Sequence, residues 1–294
     1  MTPNIQINFS ADTELNQNRK NAKPFLKWVG GKQQLLNQFE PFFPDKFNRY
    51  IEPFVGGGAV FFHLYRARRA VNDILLFDNN EELINTFLVV RDKVEELIRV
   101  LLIHQKKHNT DYYYKIRNLD RGNVQLSGVE RAARTIYLNK TCYNGLYRVN
   151  SKGQFNTPIG NYKNPQILNE NILRNANQAL QDVHIEVKDF RDIIDFARPG
   201  DFIYFDPPYV PMSKTANFTN YTAGSFRKQD QIDLADVFKQ LTGKGCLCML
   251  SNSYTPFILD LYNDFRKEVV QAKRAVNSDR NGRGTIPEII VLNY

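Results

Sequence analysis

The sequence has few cysteines and few histidines, and both shortages limit what the protein can be. Its 294 residues include three cysteines and four histidines. An odd, sparse set of cysteines does not form a disulfide framework, which indicates a reducing compartment such as the cytoplasm. The histidines stand far from the cysteines, at no spacing typical of metal ligands. We therefore expect a cytoplasmic protein without a metal site.

Long apolar runs are also missing. The longest, at 246–250 and 289–292, have the length of a buried strand, whereas a helix that crosses a membrane needs about 20 apolar residues. The start of the chain is polar and rich in asparagine, unlike a secretion signal. We expect no contact with a membrane and a flexible leader over residues 1–22.

Acidic residues are scarce in the middle of the chain. The net charge is +8, and the segment 111–165 contributes +6 of it, from nine lysines and arginines against three acids. The same segment contains eight aromatic residues. Cations interleaved with rings suit phosphate neutralisation and contact with bases, which favours a nucleic-acid partner. Charge alone would also fit a solvated basic face.

What the sequence does contain is a series of short apolar runs that each end in a polar or glycine-rich turn. They lie at 50–51, 74–77, 202–205 and 246–250. A helical stretch over 59–69 follows the first run, and one long amphipathic helix, capped by Asn79 or Asn80, is predicted to extend to Lys107. Alternating strands and helices predict an α/β doubly wound sheet, with its chemistry at the carboxyl ends of the strands.

The motif Asp206-Pro207-Pro208-Tyr209 directly follows the third of these runs. Two prolines fix φ and remove two N–H donors, so the turn presents only hydrogen-bond acceptors. The Asp206 carboxylate and the Pro207 carbonyl can accept both hydrogens of an exocyclic amine, and they stabilise positive charge that develops on its nitrogen. Tyr209 offers a ring on which a flipped base can stack. These three residues are our catalytic candidates; the alternative is a rigid turn in which Asp206 caps the next element.

Two glycine-containing segments are candidates for holding a cofactor. Gly56 opens a run of three glycines between a strand and a helix, which permits close approach of a ligand, although a tight turn explains it equally well. Asp78 lies 22 residues further on, where a carboxylate suits the two hydroxyls of a ribose or simply caps a helix. The segment 25–32 contains the only tryptophan, Trp28, and Lys32. Its ammonium can reach a cofactor carboxylate, while the ordinary place of a tryptophan is the core.

Together these motifs resemble the Dam-type family of DNA adenine-N6 methyltransferases. The matching segments are, in order, 25–32, 52–61, 77–85, 139–148, 153–165, 206–209 and 213–221. The resemblance implies S-adenosylmethionine as methyl donor and double-stranded DNA as partner, and we expect a monomer. It also implies a Rossmann-like catalytic domain, assigned to 23–82 and 180–294. A mainly helical target-recognition domain with a β-hairpin is expected as an insertion over 83–179.

The resemblance also assigns individual residues. The cofactor-binding residues it implies are Trp28, Lys32, Asp78 and Asp206, to which we add Phe54 and Gly56 from the turn after the first strand. The DNA-binding residues are Lys27, Tyr143, Asn144, Leu146, Arg148, Pro158 and Tyr162. Apart from Tyr162, this set matches the family's pattern for the sequence GATC, and an arginine that contacts guanine is the commonest specific contact in the major groove.

Within that set, Tyr143 is expected to enter the duplex beside Asn144, and Leu146 with Pro158 to contact a thymine methyl group. Lys27 and Arg148 are expected to contact guanines. A core position for Tyr143 and a phosphate contact for Arg148 are the alternatives. The chain departs from the family at Asn161, where an arginine is common, so one phosphate contact is expected to be missing.

Three other functions compete with adenine methylation. A methyltransferase acting on cytosine N4 or on protein glutamine would use similar chemistry, but an aspartate rather than asparagine or serine before the two prolines favours adenine. A Rossmann oxidoreductase would give no role to 206–209. A catalytically silent DNA-binding protein would not need an intact Asp206.

Overall fold

A single mixed sheet organises the protein. The structure, a computed structural model, describes residues 19–69, 73–209, 226–273 and 285–294. The motif expected at 213–221 and most of the expected leader lie outside the described residues. The strands are β1 Tyr50–Glu52, β2 Ile74–Asp78, β3 His184–Val187, β4 Phe202–Phe205, β5 Leu247–Ser253, β6 Arg266–Lys273 and β7 Thr285–Leu292. Their order in the sheet is β3-β2-β1-β4-β5-β7-β6.

The order of the strands reverses between β1 and β4. The chain passes from β1 outward through β2 to β3 on one side, and from β4 to β5 on the other, with all of these strands parallel. Strand β7 then lies antiparallel between β5 and β6. In an open sheet of this kind a crevice forms outside the carboxyl ends of the strands at the reversal. The structure confirms the predicted α/β doubly wound, Rossmann-like sheet.

Helices cover both faces of the sheet. They are α1 Leu36–Phe39, α2 Ala59–Arg66, α3 Glu81–Asp92, α4 Val94–Lys107, α5 Thr110–Arg117, α6 Gly128–Thr141, α7 Glu170–Leu180, α8 Ile193–Phe196, α9 Lys228–Gly243 and α10 Pro256–Leu261. In β4, Phe202 and Tyr204 belong to the core cluster that contains residues of α1 to α7, while Ile203 and Phe205 belong to the cluster on the other face, with residues of α8 to α10. Burial on both faces explains why the strand sequences are continuously apolar.

The single long helix predicted from position 79 or 80 to position 107 is wrong, because two helices meet there. Lys93, with φ −141° and ψ 36°, separates α3 from α4. The carbonyls left at the end of α3 are hydrogen-bonded by another helix: the Asn177 amide donates to Val90 O at 3.0 Å and to Arg91 O at 2.6 Å. These bonds across the fold stabilise a break that the apolar pattern does not show. Asn80 does cap α3, accepting from the N–H of Leu83.

Two smaller features differ from the sequence pattern. Strand β5 continues through Ser251 to Ser253 instead of ending at Leu250, and these polar residues are buried. The expected hairpin is present only as two antiparallel bridges, Cys142 to Ile159 and Val149 to Phe155. Among the described residues, no helix is long and apolar enough to cross a membrane.

Candidate active site

Four strand ends place functional side chains along one edge of the sheet. Since β1, β2, β4 and β5 run in parallel, their carboxyl ends lie side by side. The glycine turn that begins at Gly56 follows β1, Asp78 ends β2, Asp206 follows β4, and Ser251 lies in the last part of β5. The candidate cofactor and catalytic residues therefore meet at the reversal of strand order.

Asp78 joins the glycine turn to the start of α3. One of its carboxylate oxygens accepts the Gly56 N–H at 3.1 Å, and the other accepts the Asn80 N–H at 3.0 Å. Burial raises the pKa of Asp78 to about 6, although these backbone donors oppose the rise. Each carboxylate oxygen has further lone pairs, so Asp78 can accept ligand hydroxyls as well as hold the turn.

Gly56 and Trp28 are in close contact. Gly56 has a φ of +48°, and a Cβ at this position would lie 2.8 Å from Cδ1 of Trp28, so only glycine permits this approach. The indole is partly buried and stacks on the ring of Tyr147, with centroids 5.5 Å apart. Phe54, two residues before Gly56, stacks on Phe190 with ring centroids 5.4 Å apart. Trp28 thus packs between the glycine turn and Tyr147.

Asp206 is held by an ammonium and a hydroxyl. Its Oδ1 lies 2.7 Å from Nζ of Lys32 and accepts a hydrogen bond from Ser251 Oγ at 3.1 Å. The side chain of Lys32 is only 3% exposed, and it also donates to Gly30 O at 2.6 Å. Burial raises the pKa of Asp206, while Lys32 and Ser251 oppose this rise. The result is a carboxylate with a fixed orientation, suited to accept hydrogen bonds.

Tyr209 is fixed by two charged side chains. The ammonium of Lys32 lies over its ring, 4.6 Å from the centroid. Its hydroxyl donates to Oε2 of Glu288 at 2.6 Å. A cation over an aromatic face and a charge-assisted hydrogen bond are both stabilising. The ring therefore has a defined place beside Asp206.

The two prolines form a rigid link between Asp206 and Tyr209. Pro207 is buried and Pro208 is exposed. The carbonyl of Pro208 accepts from the Gln231 amide at 3.0 Å, and the carbonyl end of that amide accepts from Asn252 at 2.9 Å. Gln231 and Asn252 are completely buried, so this turn is anchored to both α9 and β5.

Asn139 joins the predicted recognition segment to the N-terminal segment of the site. Its side-chain oxygen accepts the Lys27 N–H at 2.8 Å, and its amide nitrogen donates to the Lys27 carbonyl at 2.7 Å and to the Gly145 carbonyl at 3.0 Å. Gly145 has a φ of +66°, and a Cβ there would lie 2.8 Å from Cδ of Lys27. The backbone of Lys27 is thus fixed against the loop that follows α6.

The remaining predicted DNA-binding side chains lie around that loop. Nζ of Lys27 lies 4.9 Å from the centroid of the Tyr162 ring. Tyr143 is 55% exposed, so it is not a core residue, and its N–H donates to the carbonyl of the exposed Pro158 at 2.9 Å. Asn144 has a positive φ of 55°, which points to a constrained loop.

Arg148 and Leu146 lie on the same segment. Nε of Arg148 donates to Asn156 Oδ1 at 2.7 Å. The Leu146 carbonyl accepts from the Thr157 hydroxyl at 2.7 Å. Both contacts join the two sides of the interrupted hairpin, so the segment presents its side chains from a cross-linked loop.

Sequence reasoning missed four residues that contact the site directly: Ser251, Glu288, Asn139 and Tyr147. Ser251 belongs to a polar triplet that the pattern places in a turn, and Asn139 begins a segment already singled out. No local signal indicates Glu288, because its partner Tyr209 is distant in sequence. Among the described residues, no group of three or more His, Cys, Asp or Glu side chains is placed to hold a metal ion.

Comparison with known proteins places this geometry in a family. Residues 28–276 match the model of the D12 class N6 adenine-specific DNA methyltransferases. A type II methyltransferase from Lactococcus lactis subsp. cremoris is 44% identical, over 95% of this chain and 98% of the relative. A type II methyltransferase from Methanocaldococcus jannaschii is 42% identical, over 93% and 99% of the two chains. The DNA adenine methylase of Escherichia coli K12 is 32% identical, over 93% and 96%.

The family match covers most of the chain, and it includes the glycine turn, Asp78 and the Asp206–Tyr209 motif that the sheet brings to one edge. The relatives align over nearly their whole lengths. The chain belongs to the D12 class of N6 adenine-specific DNA methyltransferases.

Proposed function

We propose that this methyltransferase uses S-adenosylmethionine to methylate N6 of adenine in double-stranded DNA, within the sequence GATC. The observation that carries the proposal is the Asp206 carboxylate, held by Lys32 and Ser251 beside the ring of Tyr209. The Asp206 carboxylate can accept a hydrogen bond from an amine, and the Tyr209 ring offers a surface for a flipped base. Both lie at the edge of the sheet where the cofactor candidates lie.

The residues at this edge fit S-adenosylmethionine chemically. Asp78 supplies a carboxylate for the ribose hydroxyls and holds the glycine turn through the Gly56 N–H, and Gly56 lets Trp28 pack directly against that turn. Lys32 supplies an ammonium for the methionine carboxylate, while Phe54 and Trp28 offer rings near the turn. The bound cofactor supplies an activated methyl group on a sulfonium.

The protein's own part in the reaction is to orient the amine. Asp206 accepts one N6 hydrogen and the Pro207 carbonyl the other, so that the nitrogen lone pair points at the methyl group. Positive charge that develops on N6 is stabilised by these fixed acceptors, and the nitrogen loses one proton when the transfer is complete. Tyr209 supports the base, which must leave the helical stack to reach the site.

The recognition domain, assigned to 83–179, supplies the DNA contacts in this proposal together with Lys27 of the catalytic domain. Tyr143 is exposed on a constrained loop and enters the space that the flipped adenine leaves, with Asn144 beside it. Lys27 and Arg148 contact the two guanines of the duplex site, and Leu146 with Pro158 contact a thymine methyl group. Tyr162 lies against Lys27.

The target is tested by expression in a host that lacks adenine methylation. Genomic DNA is then digested with one nuclease that cuts only methylated GATC and another that cuts only unmethylated GATC. We expect cutting by the first and protection from the second, and an Asp206→Ala variant serves as the negative control. Protection of a different motif would overturn the GATC assignment and leave the adenine chemistry standing.

The cofactor is tested separately with purified protein. S-adenosylmethionine should raise the melting temperature, because a ligand that binds only the folded state stabilises it. NAD should not. A shift with NAD alone would contradict the proposed donor.

A further inference from the structure

Glu288 contacts the proposed active site from β7, the strand that lies next to β5 in the sheet. It lies in β7, opposite Ser253 of β5. Because β7 runs antiparallel, its first residues lie at the same edge as the carboxyl ends of the parallel strands. There the partly buried Glu288 accepts the Tyr209 hydroxyl at 2.6 Å.

We propose that Glu288 is a positioning residue for methyl transfer, which holds the Tyr209 ring where the flipped adenine stacks. The inference rests on the proposed function, since it assumes that Tyr209 supports the target base. Neither the motif at 206–209 nor the cofactor motifs include Glu288.

The two contacts of Tyr209 constrain different motions of its ring. The phenol oxygen lies on the axis of rotation about the Cβ–Cγ bond, so the bond to Glu288 fixes where the ring lies without preventing that rotation. Lys32 lies over the ring face and resists rotation, because the attraction depends on the ring presenting its face. Together they define both the position and the plane of the ring.

The charges around Lys32 are consistent with this role. Its ammonium contacts Asp206 and also acts on Glu288: burial raises the pKa of Glu288, and Lys32 opposes that rise. The Tyr209 hydroxyl further lowers the pKa of Glu288. The neighbouring Asp206 adds to the rise in the pKa of Glu288, so Lys32 and the Tyr209 hydroxyl offset part of the effect of burial and of Asp206. A charged carboxylate is a stronger acceptor than a neutral group.

The experiment compares turnover in Glu288→Leu, Glu288→Gln, Tyr209→Phe and the Glu288→Leu/Tyr209→Phe double variant. Leucine removes the acceptor and should lower kcat by about tenfold, the scale of one hydrogen bond to a charged group. Glutamine retains an acceptor and should restore kcat to within about threefold of the wild type. KM for S-adenosylmethionine should change little in all of them.

Tyr209→Phe removes the donor of the same bond. It should lower kcat about as much as Glu288→Leu, and the double variant should lose no more than either single variant, because residues that act through one interaction are not additive. Additive losses would overturn the inference. Glu268→Leu is the matched control, since Glu268 lies on neighbouring β6 and pairs with Arg266 at 2.9 Å.

A fluorescence readout separates positioning from general damage. A duplex with 2-aminopurine at the target adenine reports stacking of the flipped base, because stacking on a ring quenches its emission. The Glu288→Leu complex should be brighter than the wild-type complex, and the Glu288→Gln and Glu268→Leu complexes should match the wild type. Equal emission from the Glu288→Leu and wild-type complexes, with more than half the wild-type kcat, would overturn the inference.

The wild-type measurement distinguishes the two proposals. If the wild type does not methylate adenine, the proposed function fails. If it does and the Glu288→Leu variant behaves like Glu268→Leu, the positioning role fails alone. If Glu288→Leu does not fold, Tyr209→Phe and Glu288→Gln still test the positioning role. That role requires about a tenfold loss of kcat in Tyr209→Phe and near-normal kcat in Glu288→Gln.

Discussion

The carboxylate of Asp206 is partly buried next to one cation and one hydroxyl, and its proposed role depends on its charge and its direction. Asp206→Ala should lower kcat by at least about a hundredfold, the scale for deleting one electrostatic stabiliser of a transition state. Some loss of cofactor affinity should accompany it, since Lys32 loses its partner. Transfer of tritiated methyl groups to a duplex measures the effect. A variant that retains half of the wild-type turnover would contradict the assignment.

Asp78 gives the proposed cofactor site a pH dependence. Burial raises its pKa to about 6, and the charged form is the better acceptor for ribose hydroxyls. Affinity for S-adenosylmethionine should therefore be constant above that pH and fall as the pH drops through about 6. Calorimetric titration across this range measures it. Asp78→Asn should bind weakly with no such dependence, and an unchanged affinity at low pH in the wild type would contradict the role.

Arg148 tests how the recognition segment selects DNA. If Arg148 contacts a guanine as proposed, its removal should cost about 1–3 kcal/mol of discrimination at that base pair, so Arg148→Ala should methylate near-cognate duplexes. The measurement compares kcat/KM on duplexes that differ at one position. A uniform loss on all duplexes would instead indicate the phosphate contact that remains the alternative.

At the level of elements, the connection between α6 and the N-terminal segment depends on one amide. Asn139→Ala breaks three hydrogen bonds and leaves buried polar groups unpaired, which costs about 1–3 kcal/mol for each unsatisfied group. The free energy of unfolding should fall by about 2 kcal/mol or more, as urea denaturation can show.

The affinity of the Asn139→Ala variant for a duplex that contains the proposed target should also fall, because Lys27 loses its fixed position. Asn85→Ala is the control: the Asn85 amide makes one exposed hydrogen bond to the Gly128 carbonyl. If the free energy of unfolding of Asn139→Ala is no lower than that of this control, the three hydrogen bonds of Asn139 do not stabilise the fold.

The elements also show what the sequence could and could not predict. Strands β2 and β4 follow from apolar runs bounded by turns, and the cap of α3 follows from Asn80. The break at Lys93 does not, since the bonds that stabilise it come from Asn177 in another helix. Likewise, Asp78 and Asp206 can be predicted because the first is the last residue of an apolar run's strand and the second directly follows one. Glu288 lies in an antiparallel strand whose position depends on the folded sheet.

For the whole molecule, the distribution of charge predicts how DNA binding responds to salt. Lys163 and Lys152 of the basic segment are exposed, whereas Lys140 is half-buried and its pKa is lowered to about 8 by burial and by Lys27 and Lys23. Lys163→Ala should therefore reduce the slope of log K against log salt by about one.

Lys239→Ala is the control for the salt-dependence measurements on the Lys163 and Lys152 variants. Lys239 is an exposed residue of α9, which packs on the sheet face opposite α3 to α7, and its removal should leave the slope unchanged. An unchanged slope for Lys163 and Lys152 would show that the basic segment faces away from DNA.

The position of Trp28 gives the protein an optical reporter of its own. It is the only tryptophan in the chain, stacked on Tyr147 and in contact with Gly56, so indole emission comes from the boundary between the glycine turn and the recognition segment alone. Ligand arrival on either side changes the polarity around this one fluorophore. Stopped-flow emission from the unlabelled wild type should then resolve the order in which cofactor and duplex bind.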